Sequence, residues 1–308
     1  MAAFTAQDVK SLREKTGCGM MDCKKALAQA DGNMDAAIDF LREQGLAKQA
    51  KKSGRIAAEG VAFAETNADN TLGVVIEVNA ETDFVAKNAD FQAFVKTCAD
   101  TVMEQNPADV DALLECKAAG CDETVAALLQ EKVLTIGENI KIRRFVRYEG
   151  KVVTYIHAAG RIGVMVKFDT DVDAASEEFV AYGKDVAMQI AALNTLYLNE
   201  ASVPAEVIEH EKEIMIAQMK QDPKMANKPE QVLAKIVEGK VGKFYKENCL
   251  VDQEFVKDSS MTVGKYTEKV AKDLGGSIAI VDFVRFEKGE GLEKRQDNFA
   301  EEVAGMVK

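Results

Sequence analysis

A β-rich pattern occurs twice in this chain at one fixed spacing, and that repetition limits the possible folds. Gly60-Val-Ala-Phe-Ala-Glu65 and Leu72-Gly-Val-Val-Ile-Glu-Val78 return as Gly150-Lys-Val-Val-Thr-Tyr155 and Ile162-Gly-Val-Met-Val-Lys-Phe168, each 90 positions later. Farther on, Leu134-Thr-Ile-Gly137 returns as Met261-Thr-Val-Gly264, and Phe145-Val-Arg-Tyr-Glu149 as Phe283-Val-Arg-Phe-Glu287. The longer second spacing implies a duplicated α/β unit whose second copy carries a long insertion. In a repeated scaffold, the part that is not repeated is where function is sought.

With 308 residues the chain can form two or three domains, each with a substantial core. No apolar run approaches the length of a membrane span, about 18 residues. The start, Met1-Ala-Ala-Phe-Thr-Ala-Gln-Asp8, lacks the basic and apolar regions of a secretion signal, so a cytoplasmic location is expected. A net charge of −12 disfavours broad binding to a phosphate backbone, and no direct nucleic-acid partner is expected. The local exception, Lys48, Lys51, Lys52 and Arg55, reads as a solvated basic linker. The six cysteines include two close pairs, Cys18/Cys23 and Cys116/Cys121, but the only histidines are His157 and His210. Reduced and mostly buried thiols are expected, with no metal and no cofactor.

Residues 1–54 read as a three-helix module with its basic linker. Thr5 is placed to cap a first helix bearing Val9 and Leu12. Met20, Cys23, Leu27 and Ala30 fall at helical spacing, as do Met34, Ala37, Ile38 and Leu41, which Gly45 closes. The turn Thr16-Gly-Cys-Gly-Met-Met21 reads as a Gly-rich helix–helix turn that exposes backbone. Residues 55–149 form the first core unit: strands over 61–65 and 72–78, helices over 91–102 and 124–132, and a strand over 140–148. Residues 150–289 repeat it, with a helical-hairpin insertion at about 200–248. The order is α+β, with mostly antiparallel sheets and helices on one face. The hairpin's Val207, Ile208, Met215, Met219, Leu233, Ile236, Val237 and Phe244 are too many for an isolated pair. They predict packing on another surface, in the same chain or in a second copy as a homodimer. Residues 290–308 form a terminal module with a helix over 296–307, bearing Phe299, Val303 and Met306.

Enzyme signatures are absent from the sequence: no phosphate-binding glycine loop, no nucleophile elbow, no metal-binding histidine motif. A binding protein, not an enzyme, is expected. The copies differ most at Asn79-Ala-Glu-Thr-Asp-Phe-Val-Ala-Lys-Asn88, whose counterpart, Thr170-Asp-Val-Asp-Ala-Ala-Ser176, has no aromatic residue. Two accounts of this segment stand side by side. In one, Thr82 or Asp83 caps the next helix and Phe84 tucks into its own core. In the other, Phe84 is an exposed anchor for a partner's crevice.

Thr16-Gly-Cys-Gly-Met-Met-Asp-Cys-Lys-Lys-Ala26, Thr82-Asp-Phe-Val-Ala-Lys-Asn88, Ile136-Gly-Glu-Asn-Ile140 and Arg161-Ile-Gly-Val164 together resemble the elongation factor Ts family. The likeness runs along essentially the whole chain. It implies a ubiquitin-associated-like N-terminal module, two similar core subdomains, a hairpin insertion and a C-terminal module. It implies guanine-nucleotide exchange on the translation GTPase elongation factor Tu. Thr82, Asp83, Phe84 and Val85 would then enter that partner near its nucleotide site and dislodge Mg²⁺. The likeness also implies a partner contact through His157, here in a loop, His157-Ala-Ala-Gly160, one residue longer than the usual form.

Overall fold

The computed structural model describes residues 4–221, 228 and 230–293. The N-terminal helices are α1 (Ala6–Thr16), α2 (Met20–Gln29) and α3 (Met34–Lys52). Thr5 caps α1 through a reciprocal bond with Asp8, and Gly17 closes it in the left-handed region at φ 65°. Gly45 does not end α3, which runs on through the basic stretch that the sequence suggested was a linker. Gly45 instead lies where α3 meets a core helix, and a Cβ there would sit 3.5 Å from the carbonyl oxygen of Gln130, an ordinary contact. Leu134 of the core helix joins Leu12, Cys23, Leu27 and Leu41 in the module's small core.

The first core unit follows in order: β1 (Glu59–Thr66), β2 (Leu72–Ala80), α4 (Asp83–Ala86), α5 (Ala89–Gln105), α6 (Val110–Glu115), α7 (Val125–Ile136) and β3 (Lys141–Glu149). The second unit has β4 (Lys151–His157), β5 (Ile162–Thr170) and α8 (Glu177–Leu193). The insertion supplies α9 (Ala205–Gln221) and α10 (Glu230–Asn248). A two-stranded ribbon, β6 (Glu254–Phe255) and β7 (Asp258–Thr262), leads to α11 (Val263–Asp273) and β8 (Ile278–Glu287). Two sheets result, ordered β1-β2-β3 and β4-β5-β8, and every strand pair in them is antiparallel. The fold is α+β.

The duplication extends to irregularities. Both sheets break register 90 positions apart, at Glu77/Val78 and at Lys167/Phe168. Helices α5 and α8 both have 17 residues and end at asparagines in the left-handed region, Asn106 and Asn194. One sequence match does not survive. Thr135-Ile136-Gly137 closes α7, whereas Thr262 opens α11. The true counterpart of Thr262 is Thr124: each hydroxyl caps its helix by accepting a backbone N–H three residues on.

Each sheet packs its helices on one face and the other sheet on the second. Val74, Ile76 and Val78 of β2 meet Phe91, Phe94 and Cys98 of α5, and Val164, Val166 and Phe168 of β5 meet Phe179, Tyr182 and Val186 of α8. Between the sheets lie Ala62, Ala64, Val75, Val152, Met165 and Phe286. Glycines set the spacing, because a Cβ on Gly73 would lie 2.7 Å from Met165 Sδ. Strand β2 is therefore buried on both faces, which explains its nearly unbroken apolar run. One charge sits inside it. Glu77, fully buried, accepts hydrogen bonds from Asn79 (3.0 Å), Arg143 (3.0 Å), Arg144 (2.7 Å) and the backbone N–H of Gly289 (2.8 Å). It thereby fastens the end of the second unit to the first.

The hairpin's apolar stripe closes on itself. Ile208, Met219, Val237 and Val241 form a core with Phe244, Tyr197 and Cys249 at its base. Part of the apolar surplus is thus buried within the chain, while Ile214, Ile216 and Val232 stay exposed. Residues 222–227 and 229 of the expected hairpin, and the expected tail helix bearing Phe299, Val303 and Met306, lie outside the described residues. Among the described residues, no helix is long and apolar enough to cross a membrane.

Because Met165 fills the contact between sheets and is fully buried, Met165→Ala should lower stability by about 2–5 kcal/mol. A urea titration would show this as a lower midpoint with an unchanged slope. Burial pushes the Glu77 carboxyl up, but its bonds from Asn79, Gly289, Arg144 and Arg143 outweigh this and hold it below the ordinary carboxylate value. A depressed folded value gives stability that is complete above the unfolded glutamate's value, about 4.3, and is lost as pH falls through the folded one. The native chain should therefore lose stability more steeply in acid than Glu77→Gln, as measured by denaturation midpoints across that range.

Candidate functional site

Strand β2 ends at Ala80, and residues 81–87 carry the chain to Asn88, whose side chain caps α5 by accepting from the N–H groups of Asp90 and Phe91. In the second unit residues 171–175 make the same connection, from Thr170 to the capping Ser176. The first copy thus spends two more residues on this link, and they are wound into the single turn α4. Val85 and Ala86 of that turn are buried in the first unit's core. With those two side chains inward, the helical turn directs Phe84 outward, where it is 79% exposed. The account in which Phe84 tucks into its own core does not hold.

Asp83 and Lys87 form an ion pair at 2.7 Å, and Lys87 Nζ also stands 5.9 Å from the centre of the Phe84 ring. The hydrogen bond from Lys87 holds the Asp83 carboxyl below its usual range, although the group is half exposed. Thr82 occupies the position before α4, but neither its side chain nor that of Asp83 caps the turn. Thr82 Oγ1 instead donates to Glu138 Oε1 at 2.7 Å, while the backbone N–H groups of Glu81 and Thr82 both donate to Glu138 Oε2 at 3.0 Å. In return, Glu81 Oε1 accepts the backbone N–H of Asn139 at 2.6 Å, and Asn139 Nδ2 donates to the Arg55 carbonyl at 2.9 Å. Glu138 and Asn139 fall within Ile136-Gly-Glu-Asn-Ile140, a stretch that carries family likeness but whose residue types suggest no role.

The N-terminal module reaches the same place. Phe84 and Asn88 form one side of a groove of about 350 Å³, and Gly17 and Ile136 line the other. Gly17 rests on α7, where a Cβ would touch Thr135 at 3.4 Å. Met20 and Met21, which follow in the same turn, are 60% and 75% exposed. The Gly-rich turn is thus more than a connection: it borders the Phe84 groove.

His157 ends β4, half-buried, with Tyr155 Oη 3.1 Å from its Nδ1. The next two residues, Ala158 and Ala159, adopt left-handed φ values of 48° and 52°, a conformation that is costly for a residue with a Cβ. Gly160 then presses on Val61, which pairs with Val78 near the end of β2. The His157 loop therefore lies at the same end of the core as the Thr82 segment, without sharing its groove. All six cysteines are free, with Cys18, Cys23, Cys98 and Cys249 buried; burial pushes the Cys249 thiol up to about 11.

Residues 81–290 match the sequence model of the family described as "Elongation factor TS". The chain is 48% identical over 311 residues to an elongation factor Ts of Clostridioides difficile (strain 630), covering 100% of each chain. It is 47% identical over 308 residues to that of Syntrophotalea carbinolica, covering 99% of each. It is 48% identical over 306 residues to that of Clostridium perfringens (strain 13 / Type A), covering 98% of this chain and 99% of the relative. On this full-length likeness, joined to the duplicated core and the turn that only its first copy carries, the chain belongs to the elongation factor Ts family.

Proposed function

We propose that this protein is a non-enzymatic guanine-nucleotide exchange factor for elongation factor Tu, acting in the cytoplasm during translation elongation. The observation that carries the reading is Phe84, an aromatic ring held out to solvent on a helical turn that the sister unit lacks. Ordinary core packing would have placed such a ring inside.

Each residue of the segment has a distinct part. Val85 anchors the turn in its own core, and Thr82 ties it to Glu138. Phe84 supplies wedge volume and apolar surface to be buried in the partner. Asp83 supplies a carboxylate that can leave Lys87 for donors in the partner. The Mg²⁺ bound with the nucleotide needs near-ideal octahedral oxygen geometry. A wedge that shifts the surrounding backbone spoils this geometry, and the phosphate contacts weaken with it.

Linkage sets the energetic condition. The factor must prefer nucleotide-free GTPase, and nucleotide must weaken the factor's binding by the same ratio. Accelerating release about a thousandfold through binding energy requires roughly 4 kcal/mol of such preference. Burial of one Phe ring gives about 1.5–3 kcal/mol, so other contacts must share the task. The Gly17 turn beside the groove and the His157 loop at the same end of the core are the surfaces placed to do so. The factor chooses no direction; the relative supply of GTP and GDP does.

Stopped-flow release of a fluorescent GDP analogue from elongation factor Tu tests the reading. The native chain should accelerate release, and Phe84→Ala should reduce the acceleration by roughly 10- to 100-fold. Asp83→Ala should reduce it less. Since Phe84 is exposed, both variants should keep the native melting temperature within about 1–2 °C. Undiminished exchange by folded Phe84→Ala would end the wedge mechanism.

A further inference from the structure

We propose that Glu138 is a positioning residue for exchange: its carboxylate holds the Phe84 turn in the orientation in which the partner receives it. The proposal rests on the exchange reading above and adds to it the group that sets the geometry. Glu138 is 54 residues from Phe84 in sequence, yet it takes three hydrogen bonds from the two residues that open the turn. Both backbone donors go to one oxygen and the hydroxyl to the other, so a single side chain fixes two successive residues. Val85 and Ala86 pin the turn's far end in the core. Phe84 lies between these two fixings, and its backbone has little freedom left.

The duplicated unit supplies the comparison. Gly137 closes α7 at φ 88°, and its counterpart Gly275 follows α11 at φ 73°. The next residue is Glu138 in the first unit and Gly276 in the second. A Cβ on Gly276 would lie 2.5 Å from Asp171 Oδ1, so a clamp like that of Glu138 has no room there. The reciprocal bond is present in both units: Glu81 accepts from Asn139 N–H, and Asp171 from Ser277 N–H, each at 2.6 Å. The shared half of the clamp belongs to the scaffold. The half made by Glu138 occurs only in the unit that displays an aromatic ring, and it grips the link that bears that ring. Lys52, at the end of α3, donates to the carbonyl of Gly137 and so braces the residue next to Glu138. The N-terminal module is thereby tied to the clamp.

A ring on a loosely held link must be ordered as it docks, which weakens docking and blurs the direction of the wedge. Glu138→Ala should therefore lower the second-order rate constant for nucleotide release by about tenfold. Glu138→Gln separates geometry from charge. Its amide oxygen can accept both N–H groups, and its amide nitrogen can donate to Thr82 Oγ1, which turns to accept. It should retain exchange within about twofold of native. Thr82→Val, which removes one of the three bonds, should fall between them. Hydrogen exchange at the Glu81 and Thr82 amides reads the clamp without the partner: faster in Glu138→Ala, close to native in Glu138→Gln, and unchanged in Phe84→Ala.

Equal loss in Glu138→Gln and Glu138→Ala would overturn the proposal, since charge rather than position would then matter. So would full activity in Glu138→Ala with its amides loosened. If Glu138→Ala does not fold, the Gln and Thr82→Val variants still decide the matter. A native chain that fails to accelerate release would instead remove the exchange reading, and the amide rates alone would then show whether Glu138 fixes the turn.

Discussion

Face-to-face contact between the two sheets is the constraint on which the rest of this molecule depends. Gly73 opposite the Met165 side chain, and Gly163 opposite the backbone of Ala62, let the sheets approach closely at those points. Strand β5 surfaces at Asp169, but β2 is buried on both faces as far as Ala80, which makes a firmly packed end. The link 81–87 begins at such an end. A flexible display of Phe84 would have required a different support, such as an edge strand or a long loop. Here the ring stands one helical turn beyond a strand that cannot shift without disturbing both sheets.

The internal repeat separates scaffold from specialisation without reference to any other protein. The two units agree at the register breaks, at the helix lengths and at the asparagines that end α5 and α8. They part at residues facing one end of the core. Counted back from the capping Asn88 and Ser176, Ala174 matches Ala86, both buried, and the second unit has no counterpart of the turn that bears Phe84. Glu77 corresponds to Lys167, and the two reach in different directions from the same register break. Glu77 turns inward and holds Gly289, whereas Lys167 crosses to the ring of Tyr148, 5.7 Å away, on the other sheet. A duplicated fold that is free to vary would scatter its differences. Besides the hairpin insertion of the second unit, differences of this kind lie where β2 ends and where the chain leaves β8.

Much of this architecture was legible in the sequence because its signals are local. Repeated β-rich apolar runs marked the main strands, Thr5 marked the start of α1, and α11 follows directly from Thr262. The misreadings have tertiary causes. Gly45 looked like a helix stop, but α3 continues through it because the helix rests on α7 there. The likeness between Thr135-Ile-Gly137 and Thr262-Val-Gly264 was false because Thr followed by Gly suits either end of a helix: a left-handed glycine closes one, and a threonine cap opens the other. The short ribbon β6–β7 has too few residues to show a period. Phe84 could not be placed from residue types, since its exposure is decided by Val85 and Ala86 turning inward. Glu138 gave no signal, because its partners are 56 and 57 residues away.

The exposed ring also explains why its companions are weak ones. Leaving Phe84 in solvent forgoes about 1.5–3 kcal/mol that an interior position would have supplied. Only a surface that receives the ring recovers it. A strong intramolecular partner for Phe84 or Asp83 would subtract from that gain, because it would have to be broken first. What the chain provides is one flexible lysine, Lys87, which shares itself between the Asp83 carboxylate and the Phe84 face and is itself exposed. Exposed ion pairs and distant cation–π contacts contribute little. They orient the two side chains in the free protein and release them readily. The strong contacts are all one layer behind, where Thr82, Glu138, Val85 and Asn88 hold the backbone. Rigid support beneath a lightly held tip keeps almost the whole apolar gain for the docked state, which is the arrangement a wedge requires.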